Sequence, residues 1–79
     1  MELDFEVYDA GNGDLKDIFS IIVNYDELTD TYEPDPQDWA VAMLEWGDQN
    51  VVLQVQDRSK QVKGFSDAGT LKLPLKEEI

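Results

Sequence analysis

Seventy-nine residues with a formal net charge of −12, no histidine and no cysteine describe one small acidic domain spanning 1–79, near the lower size at which an unaided core is stable. The missing cysteines exclude a disulfide framework and thiolate chemistry. A hydrophobic fraction of 42 %, with two Trp, three Tyr and three Phe, is too rich for a disordered acidic tail. The start, Met1-Glu2-Leu3-Asp4, lacks the apolar core of a signal peptide, and no apolar run approaches the roughly 18 residues of a membrane span. The expectation is a soluble, cytoplasmic protein.

The charge is unevenly distributed. Residues 1–50 hold fourteen Asp and Glu against one base, Lys16, for a net of −13; residues 51–79 hold four acids against five bases. Like charges gathered by folding repel one another, and the field they create attracts basic surfaces, which are most often nucleic-acid sites.

Along the chain, Leu3, Phe5 and Val7 alternate with Glu2, Asp4, Glu6 and Tyr8, the period of a half-buried strand. Gly11-Asn12-Gly13-Asp14 is a turn signal. Residues 18–25 form a second apolar run whose β-branched enrichment predicts a central strand, hairpin-paired to the first. Residues 26–38 read as a loop with two prolines and six carboxylates. Its end predicts a helix from Pro36 to Trp46: Asp35 as N-cap, Pro36 at the first position, Asp38 in the first turn and Gly47 at the stop. Trp39, Met43 and Trp46 share one face of that helix, and burial in the core is the simplest reading for both tryptophans.

Val51, Leu53 and Val55 then restore the period of two, and residues 61–65 are expected to complete a hairpin. Leu71, Leu73 and Leu75 alternate with Lys72, Pro74 and Lys76; Pro74 cannot donate to a ladder, so this strand is expected at a sheet edge. The predicted fold is α+β, a single helix packed on a four- to five-stranded antiparallel sheet in the order β-β-α-β-β-β.

Without His or Cys the commonest general base, the usual nucleophile pairs and the zinc ligands are missing. Ser20, Ser59 and Ser66 stand in no nucleophile-elbow pattern. Catalysis, a cofactor and a metal are not expected; the loop acids lack the spacing of a calcium loop.

The carboxylates suggest binding instead. Glu2, Asp4 and Glu6 project from one strand face about 6.6 Å apart, close to two nucleotide rises of about 3.4 Å each. Asp26, Glu27, Asp30, Glu33, Asp35 and Asp38 extend that surface, and Tyr32 is the expected exposed anchor in the loop. The other reading of these acids is a solvated face, although solubility surfaces usually mix both signs. Lys60, Lys63, Lys72 and Lys76 are expected on the outer sheet face, offsetting the acids or guarding an edge. Direct nucleic-acid binding by so acidic a chain is not expected.

In size, in the acidic half from Glu2 to Asp48 and in the predicted element order, the chain resembles the small acidic inhibitors of phages and mobile elements, anti-CRISPR and anti-restriction proteins that imitate DNA. The resemblance is one of class and rests on no shared motif. It implies a non-enzymatic inhibitor whose partner is a basic nucleic-acid-binding protein, a nuclease or CRISPR effector subunit of the host cell. An immunity protein or antitoxin against a toxic nuclease would use the same physics. An acidic accessory subunit making an apolar contact through the helix, with weak salt dependence, is the third reading.

Overall fold

The computed structural model describes residues 1–75. Its elements are β1 (Glu2–Asp9), β2 (Leu15–Asp26), β3 (Thr31–Pro34), α1 (Pro36–Trp46), β4 (Val51–Val55) and β5 (Thr70–Leu73). The strands form one antiparallel five-stranded sheet in the order β3-β2-β1-β4-β5. The predicted α+β class, the first hairpin, the helix bounds and the edge position of the last strand are all present; Lys76 lies outside the described residues.

The period of two sorts β1 into Leu3, Phe5 and Val7, which are buried, and Glu2, Asp4, Glu6 and Tyr8, which face the other way. Ile21 and Val23 of β2 and Val51, Leu53 and Val55 of β4 complete the buried face. Full burial of each such side chain stabilises by about 1.5–3 kcal/mol. Against this face α1 lays Ala42 and Trp46, with Trp39 and Met43 partly buried at its flanks. Asp35 caps the helix by accepting the N–H of Asp38 at 3.2 Å. Gly47 ends it in a right-handed conformation, φ −59°, its N–H bonded to Met43 O at 2.9 Å.

Two details differ from the sequence reading, and they exchange a strand across the helix. The expected loop 26–38 contains β3, because the turn at Asp30 (φ 54°) sends Tyr32 back alongside Tyr25. Residues 61–65 form no hairpin with β4. The chain instead crosses the end of the sheet and bridges β3 in parallel at Val62: Tyr32 donates to Gln61 O at 2.8 Å, and Lys63 donates to Tyr32 O at 2.9 Å. Phe65 then turns inward, 5.4 Å from the Phe5 ring and 6.0 Å from Trp39. The observed order is therefore β-β-β-α-β-β, and the sheet curls so that its two ends approach one another.

β1, not β2, is paired along both sides. β3 covers β2 only from Val23 to Asp26, so among the described residues no strand pairs with the outer edge of the N-terminal half of β2.

Candidate interaction surface

The helix covers one sheet face and leaves the other open. On that open face Glu2, Asp4 and Glu6 stand in a column along β1, with Ile22, Ser20 and Ile18 directly across on β2. Asp4 Oδ1 accepts the Ser20 hydroxyl at 2.5 Å, and Glu6 Oε1 accepts the Tyr8 hydroxyl at 3.0 Å. That bond to a carboxylate holds the Tyr8 phenol above its ordinary pKa. The register puts Asp26 and Glu33 on the same face, beyond Asn24. Lys63 reaches both, at 3.0 Å and 3.5 Å, and lowers the Asp26 pKa, while Asp26 raises that of Lys63. Lys72 also lies on this face, opposite Val52 at the far edge.

The other acids named from sequence disperse. Glu27 is exposed in the β2–β3 turn, and Asp30 there accepts the Tyr25 hydroxyl at 2.6 Å. Asp35 and Asp38 belong to the helix start and to the edge of β2: Asp35 N donates to Ile22 O at 2.8 Å, and Ile22 N donates to Asp38 Oδ2 at 3.0 Å. Tyr32 is no loop anchor. It is half-buried, its backbone bridged on both sides, its ring 5.1 Å from Tyr25 and 5.5 Å beneath Lys60 Nζ. Tyr25, 53 % exposed, takes the open position beside it.

One feature had only a faint signal in the sequence. Between the free edge of β2 and α1 runs an open groove of about 580 Å³. Phe19, Ile21, Ala42 and Trp46 line it from within, Val41 and Leu44 from the helix, and Asp17, Asp38 and Glu45 supply carboxylates. Val41 and Leu44 are 64 % and 86 % exposed, so the helix has apolar surface beyond the side that packs on the sheet. The apolar residues all round α1 were the available clue. That Asp17 and Glu45 meet there required the fold.

Among the described residues, no group of three or more Asp or Glu side chains converges as a metal site, and no helix is long and apolar enough to cross a membrane. No protein-family model, curated protein or solved structure matches the chain.

Proposed function

We propose that this chain is a non-enzymatic binding protein that occupies a basic nucleic-acid-binding surface on another protein, as an inhibitor of a defence nuclease complex would. The observation that carries this reading is the uncovered sheet face, where β1, β2 and β3 together present Glu2, Asp4, Glu6, Asp26 and Glu33. Asp4 and Glu6 are held by neighbouring hydroxyls, so less side-chain freedom is lost when a Lys- or Arg-lined groove closes on them. The surplus of negative charge would steer association and make it sensitive to salt. Exclusion of nucleic acid then follows from occupancy alone.

An accessory subunit docking through apolar surface is the second reading, favoured by Ile18 and Ile22, which are 48 % and 46 % exposed on the same face.

The test is affinity capture from the natural host with the tagged protein and with a variant carrying Glu2→Gln, Asp4→Asn and Glu6→Gln. The expected result is a nucleic-acid-binding protein that is released by high salt, displaced by duplex DNA and absent with the neutralised variant. A partner that survives high salt, ignores DNA and still binds the folded variant would overturn the inhibitor reading and favour the accessory subunit.

A further inference from the structure

We propose that the free edge of β2 beside α1 is a strand-addition site for an extended segment of a partner protein in which basic and apolar residues alternate. Three observations meet there.

The first is the backbone. Val23 N–H bonds to Met1 O at 2.9 Å, so the odd-numbered residues of this part of β2 direct their N–H and C=O toward β1. The even-numbered residues direct theirs outward. At Ile22 those outward groups are taken by Asp38 and Asp35, which act in place of a neighbouring strand. At Ile18 the N–H is held by Asp17 Oδ1 at 2.8 Å, an exposed bond a guest carbonyl can replace. Ser20 N–H and C=O face the open groove, as does Ile18 C=O. An unpaired strand edge is a template for another strand.

The second is shape. In an added strand, alternate side chains would enter the groove, where the aliphatic stem of a lysine or arginine can lie along Val41 and Leu44, exposed on α1. Main-chain bonds give such a site affinity, and the groove gives it specificity.

The third is charge, and it selects the occupant. Asp17, Asp38 and Glu45 line the groove, against a single neighbouring base, Lys16, whose Nζ lies 5.9 Å from the ring of the groove residue Trp46 and donates to Gln49 Oε1 at 3.4 Å. A second copy of this chain pairing edge to edge would bring these three carboxylates against their own kind on a protein of net charge −12, which opposes association. Lysine or arginine at the groove-facing positions reaches these carboxylates, and the apolar residues between them, which point to the other sheet face, lie beside the exposed Ile18 and Ile22.

The experiment is a titration of the isotopically labelled protein, followed by NMR, with a short capped peptide alternating lysine and valine. The controls are the same peptide N-methylated at alternate backbone positions and one alternating glutamate and valine. Shifts are expected at residues 18–22 and at Val41 and Leu44, for the unmethylated lysine peptide alone. Ser20→Pro removes the outward N–H, which an edge strand tolerates, and with it the hydroxyl that Asp4 accepts. It is expected to weaken binding about tenfold, the equivalent of a lost hydrogen bond with its neighbours, while Ser20→Ala, which loses the hydroxyl alone, is expected to keep binding within about twofold. Leu44→Lys, at a position 86 % exposed and so safe for folding, is expected to weaken binding at least as much.

Equal binding of the methylated peptide, with shifts confined to Glu2, Asp4 and Glu6, would overturn the site in favour of the open sheet face. No binding of the lysine peptide would also overturn it, and so would dimerisation of the free protein that Ser20→Pro abolishes. Neutralising Glu2, Asp4 and Glu6 is expected to weaken peptide binding less than Ser20→Pro does, since those carboxylates stand on the sheet face opposite the groove and two strand spacings, about 9.6 Å, from the added strand, about one Debye length. Failure here is thereby distinct from failure of the open-face reading.

Discussion

Asp38 ties the start of the helix to the second strand: its Oδ2 accepts the backbone N–H of Ile22 at 3.0 Å. Beside it, Asp35 donates its N–H to Ile22 O at 2.8 Å while its own carboxylate caps the helix. One end of α1 thus completes the ladder where β3 gives way to the free edge, and one carboxylate serves strand, helix dipole and groove together. Asp38→Ala is expected to cost about 0.5–1.5 kcal/mol, the net worth of a hydrogen bond whose exposed donor water can reach. Asp38→Asn keeps an acceptor oxygen and should retain more than half of that. Urea unfolding of both variants is the check; equal stability of Asp38→Ala and the parent would remove the ladder role.

Among the described residues, three carboxyls are held below their ordinary pKa. Asp26 is lowered first by its hydrogen bond to Lys63, Asp9 by the N–H groups of Gly11 and Asn12, and Asp57 by the hydroxyl and N–H of Ser59. Lowered folded-state values mean that their stabilisation is present above the ordinary carboxyl value of 3.8 and is lost as pH falls through the folded values. Lys63 has the opposite sign: its contribution is present below 10.5 and is lost as pH rises through its raised value. Lys63→Met should move the Asp26 carboxyl up toward 3.8 and leave Asp9 unmoved. Carboxyl-detected NMR titration reads both, and an unchanged Asp26 curve would show that the pair does not persist in solution.

Phe65 lies outside every strand, yet it is 7 % exposed and touches both Phe5 and Trp39. Phe65→Ala is expected to cost about 3–5 kcal/mol, a large part of the roughly 4–12 kcal/mol available to a domain of this length. Phe65→Leu should cost about 1.5 kcal/mol or less. A small loss for the alanine variant in chemical denaturation would mean that residues 61–65 do not close the core.

Gly69 and Gly13 share the same left-handed φ, 78° and 79°, but not the same surroundings. A Cβ at Gly69 would meet Gln54 Nε2 at 3.1 Å, whereas one at Gly13 has nothing within 4 Å. Gln54 is buried, and that same nitrogen donates to Ala68 O at 3.1 Å and Gly69 O at 3.2 Å. Gly13→Ala should therefore cost about 1–2 kcal/mol from backbone conformation alone. Gly69→Ala should cost clearly more, with a lower melting temperature by about 4–8 °C for each further kcal/mol. Equal melting temperatures would show that Gln54 moves aside freely.

How much was legible can be judged residue by residue. Period-two alternation assigned Leu3, Phe5 and Val7 to the core and Glu2, Asp4 and Glu6 to the opposite face, because successive strand side chains must point to opposite sides. Asp35, Pro36 and Asp38 marked the helix start, because capping chemistry is local. The strand setting of Tyr32 is illegible for the same reason. Its polar neighbours suggested a wet loop, and nothing nearby in sequence announces that residues 61–63 return to pair with it.

The sequence by itself determined the acidic balance, the helix, the alternation of β1 and the α+β class, all properties of neighbours within a turn or a pleat. The tertiary structure decided which acids share a face, which are consumed as caps, and where a strand edge is left bare. Asp17, Asp38 and Glu45 come to line one groove only because α1 packs across β2 while β3 stops at Val23. Contacts between residues so far apart in the chain depend on strand order and on how far each strand extends, and no local period encodes either.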